Sequence, residues 1–305
     1  MTPAPGLWIP VTIGAALAQT LRNAAQRHLT RSLGTLGATL VRFLYGLPFA
    51  ALWFAVVRSI DVGPSPAPSA EFAGWVLLGA VCQIAATALL LRVMAERNFT
   101  LGVAYSKSEL IQVAVFGFAF LGDPVSGGAA LAIAFGTLGV LLLSPADAER
   151  PLGALLLGWT IRPALLGLLS GTGFALAAVG YRGATLALGD TPFLLAAAYT
   201  LVAAQLVQTV LLGGWLFLRD AAVVTAVLRA WRASLFAGFM GAAASAGWFT
   251  AMAIEPVAHV RTLGLIELLF SYAVSRRVFR ERLTRRELAG VALLALALVL
   301  VTLRR

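Results

Sequence analysis

The chain has 305 residues, 60% of them hydrophobic and only 12% charged, against roughly 45–50% and about 25% for soluble domains. A soluble fold of this length has nowhere to bury so much apolar side chain, and no polar stretch is long enough to form a separate catalytic or nucleic-acid-binding domain. The net charge of +10 therefore bears on membrane orientation rather than on a polyanion partner.

The hydrocarbon core of a bilayer, about 30 Å thick, is crossed by about 20 helical residues. Ten apolar stretches of that size follow one another, at 7–27, 33–57, 74–94, 99–121, 127–144, 163–187, 191–217, 233–254, 257–279 and 287–303. They predict an all-α integral membrane protein with ten transmembrane helices. The first begins at Leu7 without a basic segment before it, which argues against a cleaved signal. Between spans the longest polar connection is 58–73, rich in proline and serine.

Trp8, Trp75, Trp159, Trp215 and Trp231 fall near proposed span ends, where an indole buries its ring and keeps its N–H wet. Trp248 lies inside the eighth stretch, either as packing or as the wall of a cavity. The single cysteine, Cys82, reads as packing. His28, expected in a loop, and His259 have no metal-ligand spacing to other donors, so neither a metal nor another cofactor is expected.

Of the 23 basic residues, fourteen fall in the connections after odd-numbered spans and three, Arg58, Arg304 and Arg305, on the opposite side. The positive-inside rule puts the fourteen in the cytoplasm and both termini outside. The other six, Arg22, Arg42, Arg92, Lys107, Arg182 and Arg261, lie within spans.

The chain also reads as written twice. A shift of 158 lays Met94-Ala95 on Met252-Ala253, Glu109-Leu110 on Glu267-Leu268, Asp123 on Glu281 and 129–143 on 287–301. Two halves of five spans, 1–148 and 149–305, have opposite orientations because five is odd. That is the inverted-repeat plan of secondary transporters, whose binding site lies near mid-bilayer between the repeats.

The blocks that close each half, 101–143 and 257–303, resemble those of the drug/metabolite transporter superfamily, specifically its ten-span EamA type. That pattern has a glycine and an acid after the fourth and ninth spans. Gly122-Asp123 follows it with aspartate for the usual glutamate, and Glu281 follows it with Arg280 in the glycine's place. The proline common in those spans is missing, with Glu109 and Glu267 nearby, and Arg42 matches a frequent basic position. The resemblance implies a carrier of metabolites such as amino acids in the cell (inner) membrane, with both termini in the cytoplasm, opposite to the charge count.

Charges within spans cost about 2.5–3.5 kcal/mol each on insertion scales, so they face a cavity or a partner unless they reach the interface. Arg92 and Arg182, near span ends, are expected to snorkel. Arg42, with Tyr45 at i+3, faces either the cavity or a structural ion pair. Lys107 and Glu109 are two apart and cannot neutralise each other on one helix; Glu109 shares a face with Tyr105 and Gln112. Carboxylates desolvated in a span can trade protons, which suits proton-coupled antiport, unless each is permanently paired. Six basic against two acidic intramembrane residues favour an anionic substrate.

Asn23, Arg42, Tyr45, Tyr105, Lys107, Glu109, Trp248 and Glu267 are the expected substrate contacts, with Gln19, Gln26, Gln83, Gln205 and Gln208 as secondary lining. The expected function is secondary transport, export first, by alternating access without ATP and with protons as a coupling ion. The expected partners are a small-molecule substrate and the lipid bilayer, with no nucleic acid, in a monomer or homodimer. No enzyme chemistry is expected. The alternative is a flippase of lipids or lipid-linked metabolites, which a lateral opening wide enough for an acyl chain would favour.

Overall fold

Inside hydrocarbon, backbone N–H and C=O groups must pair within the chain, which favours helices for so apolar a sequence. The protein's structure, a computed structural model, describes Ala4, residues 6–60, 63–96, Ser106, 109–143, 162–279 and parts of 289–300, and every element among them is helical. Among the described residues five segments are long and apolar enough to cross a membrane: Trp8–Ile60, Ala70–Ala95, Leu165–Leu186, Phe193–Arg219 and Trp231–Ile254. The chain is thus an all-α membrane protein.

Helix α1 (Trp8–Leu44) runs through the polar stretch expected to be a loop between the first two spans, and His28 is helical. The chain nevertheless turns back at Gly34, whose φ of 68° is cheap only for glycine. Gln26 Nε2 donates to the Ala38 carbonyl at 2.8 Å. In a straight helix, twelve residues would separate them by about 18 Å. A second break at Tyr45-Gly46 precedes α2 (Leu47–Ile60).

Helix α3 (Ala70–Glu96) starts where Ser69 Oγ accepts the Phe72 N–H, satisfying one of the free donors of the first turn. Next come α4 (Glu109–Leu121), α5 (Gly127–Leu143), α6 (Arg162–Leu186) and α7 (Phe193–Arg219). The connection expected after the seventh span forms a short helix, α8 (Ala221–Arg229), before α9 (Trp231–Ile254). The ninth expected span is broken at Gly264-Leu265 into α10 (Val257–Leu263) and α11 (Ile266–Phe279). The described residues between 289 and 300 are helical.

Packing inverts the polarity of a soluble domain. Leu218 is 84% exposed and Ile60 71%, whereas Arg22, Asn23, Arg42 and Glu267 are each 2% or less exposed. Two long helix pairs dominate the interior, α1 along α9 and α3 along α6. Both need small residues at the crossing: a side chain on Gly247 would meet Ala15, and one on Gly180 would meet the Trp75 carbonyl. Such close approach lets dispersion hold helices together where water supplies no hydrophobic drive.

Candidate functional site

On α1, Gln19, Arg22, Asn23 and Gln26 recur at the i, i+3, i+4, i+7 spacing of one helical face. The break between α10 and α11 puts Glu267 in the first turn of α11, opposite this stripe. Asn23 Nδ2 donates to Glu267 Oε1 at 2.9 Å and Gln19 Nε2 to Oε2 at 2.8 Å. Trp248 on α9 donates its indole N–H to Gln19 Oε1 at 2.9 Å. Behind Asn23, Arg22 Nη2 donates to Asn23 Oδ1 at 2.7 Å.

From the other side, Arg261 on α10 stacks its guanidinium 4.9 Å from the Trp248 ring centre. Its Nη1 lies 3.7 Å from Glu109 Oε1, in the first turn of α4. Gln19, Asn23, Leu90, Ser106, Glu109, Phe174, Arg261 and Glu267 together enclose a polar cavity of about 10 Å³, room for roughly one water. Glu109 and Glu267, related by the 158-residue shift, thus line the same hollow.

Arg42 is buried beside this cluster but does not line the cavity: its Nη1 donates to Thr87 Oγ1 at 3.0 Å, and its stem and that of Arg22 both lie against Gly241. Tyr45 is not brought to the site. Tyr45 caps α1 with helical backbone geometry, but its stem packs over Gly238 and its hydroxyl donates to the Val227 carbonyl at 3.1 Å, at the end of α8. Tyr105 and Lys107 lie outside the described residues. Arg261, which the sequence marks only as an intramembrane charge, and Ser106, Leu90 and Phe174 complete the lining, and Arg22 stands behind it on Asn23. The α1 stripe signals Arg22; nothing in the sequence signals the three wall residues.

A second polar cluster joins one end of the bundle. Arg182 on α6 does not snorkel as its place near a span end suggests; its Nε and Nη2 donate to Asp123 Oδ1 at 3.1 and 2.8 Å. Its Nη1 donates to the Met252 and Glu255 carbonyls at the end of α9, and Asp123 Oδ2 accepts the Val257 N–H that opens α10. His259 Nδ1 lies 2.6 Å from Glu255 Oε1. A third cluster is interhelical: Gln208 Nε2 donates to both Gln83 Oε1 and Tyr181 Oη, and Tyr181 donates to Gln83 Oε1.

A much larger cavity, about 710 Å³, opens between the start of α1, α2, the start of α7 and α9. Phe49, Trp53, Val56, Phe193 and Phe239 make its wall almost wholly apolar. Among the described residues no three His, Cys, Asp or Glu side chains gather as a metal site.

No family model matches the chain, and no curated protein matches it. Among solved structures 27 chains match. One, described only as "Crystal structure of protein", has a TM-score of 0.65 over 97% of this chain and 96% of that chain, at 12% identity. At that identity the likeness is one of fold.

Proposed function

We propose that the chain is a secondary carrier of small organic metabolites in the cell inner membrane, of the ten-span EamA type of the drug/metabolite transporter superfamily. Its halves, 1–148 and 149–305, are two inverted five-helix repeats. The observation that carries this reading is the pair Glu109 and Glu267: they stand 158 residues apart in equivalent first turns and share one buried polar cavity. The packing supports it too. Exchanging the halves turns the pair α1 along α9 into α6 along α3, and both pairs are extensive.

In this reading the conformation is an occluded one. The cavity holds no more than a water-sized guest, and the Arg182–Asp123 contact closes one end by tying α4 and α6 to the α9–α10 turn. Substrate enters when the halves rock apart at the other end and leaves when the latch releases. The broken helix fits this cycle, since discontinuous spans place helix termini and their dipoles at a substrate. Uptake of labelled amino acids and organic acids into proteoliposomes, with and without a pH gradient, tests it. Gradient-driven flux of at least one compound, lost in Glu109→Gln and Glu267→Gln, is expected. No flux above empty liposomes for any compound would reject the carrier.

The apolar cavity of about 710 Å³ favours one second reading, a flippase of lipids or lipid-linked metabolites, because it is large enough to admit an acyl chain from the side. Translocation of a fluorescent phospholipid, read by dithionite quenching, would favour that reading over carriage of small solutes.

A further inference from the structure

Arg22 is 1% exposed, yet its Nε and Nη1 have no hydrogen-bond acceptor; only Nη2 is used, toward Asn23. Buried guanidinium donors are ordinarily paired, and an orphan in a packed helix bundle points to a missing group. Arg261 repeats the pattern with an unpartnered Nε, while its Nη1 faces Glu109 only at 3.7 Å. These two and Arg42 lie close enough to act on one another electrostatically, and Arg22 also acts on Glu267.

The signs do not balance. Among the described residues of this cluster, three buried arginines, Arg22, Arg42 and Arg261, face two buried glutamates, Glu109 and Glu267. One positive charge is left over in a medium where an unpaired charge is costly. Both Glu267 oxygens already accept amide N–H groups, and Glu109 faces Arg261. The spare valence of the site is a cation's. Leu90, Phe174 and the Trp248 ring supply apolar surface beside it.

We infer that this site receives a small organic monoanion, a monocarboxylate, rather than an amino-acid zwitterion. Its receptor is Arg22, which lies behind Asn23 and not in the lining of the closed cavity, and meets the ligand once the halves part. A carboxylate supplies the acceptors that Arg22 lacks and neutralises the cluster with a charge-assisted bond. A zwitterion also brings an ammonium group, which three arginines against two glutamates among the described residues disfavour. The inference rests on the reading of this cavity as a carrier's substrate site and narrows it from metabolites at large to one charge class.

The test is equilibrium binding of sodium benzoate to the full-length protein in detergent at constant ionic strength, beside alanine and tetramethylammonium. Benzoate is expected to bind more tightly than either. Arg22→Gln is expected to weaken benzoate at least tenfold, Arg22→Lys by less, and Arg92→Gln, which changes an exposed arginine, not at all. Unchanged benzoate affinity in a folded Arg22→Gln protein would overturn the inference. Should that variant not fold, the wild-type ranking decides, and tighter binding of alanine or tetramethylammonium overturns it. Benzoate binding through Arg22 without flux in liposomes would sink the carrier while leaving the anion site. Flux of alanine without benzoate binding would do the reverse.

Discussion

Arg22 and Arg182 are both arginines held among apolar helices, and their surroundings treat them in opposite ways. Arg182 uses every guanidinium nitrogen: two on Asp123, one on the Met252 and Glu255 carbonyls. Arg22 uses one of three, and its neighbourhood includes two further arginines. A cluster that closes on itself has no use for a ligand and acts as a clamp. A cluster left with orphan donors and an unbalanced charge is the one that recognises something. Between these two arginines, then, the degree of satisfaction separates a clamp from a receptor.

The largest expected effect tests the clamp. Arg182→Gln leaves Asp123 without its cation, with only the Val257 N–H, at the junction of α4, α6 and α10, and breaking a largely buried pair from one side costs up to about 3–5 kcal/mol. Thermal unfolding in detergent should show that loss, and the double variant Arg182→Gln with Asp123→Asn should recover part of it. Benzoate affinity of the folded fraction should stay unchanged. A shift in that affinity would mean the two clusters are not independent.

Next comes the floor of the central site. A Cβ on Gly264 would lie 2.6 Å from Trp248 Cη2, so Gly264→Ala forces the indole away from both Arg261 and Gln19. Overpacking of this kind costs about 1–3 kcal/mol. Unlike the clamp variant, it should weaken benzoate binding as well as lower the unfolding temperature. Gly34→Ala is narrower in effect, for it touches neither cluster. Nothing lies within 4 Å of the place its methyl would take, so only the backbone matters: φ 68° with ψ 176° is a region nearly confined to glycine, at about 1–3 kcal/mol of stability and no change in binding.

How much of this is legible in the sequence differs by element, for physical reasons. Hydropathy is additive over twenty residues, so the long apolar segments are readable without coordinates. The polar stripe on α1 and the pair Glu109 and Glu267 are readable too, because helical spacing and the 158-residue shift are local regularities. A connection is readable between the spans 7–27 and 33–57, but not its form: helical hydrogen bonding runs through it and the reversal falls at Gly34, inside the second span. Helix α8 is nine residues long and is lost beside its twenty-residue neighbours. The fate of Arg182 depends on Asp123, 59 residues away in sequence, and no periodicity encodes such a meeting. Tyr45 fails for a related reason, since its hydroxyl is taken by the Val227 carbonyl, 182 residues away in sequence.

The smallest expected effect is the most discriminating. Arg22→Met removes a long buried side chain, and by the rule that governs Arg182 it should be severely destabilising. Here the opposing terms nearly cancel. The variant leaves Asn23 Oδ1 without its donor, but it also removes two donors that had no acceptor, each a burden of about 1–3 kcal/mol. It brings the remaining charges to two arginines against two glutamates, and methionine refills much of the volume beside Gly241. The unfolding free energy should therefore stay within about 1 kcal/mol of the parent while benzoate binding disappears. A loss as large as that of Arg182→Gln would show that Arg22 is structural after all, and the contrast between the two arginines would collapse with it.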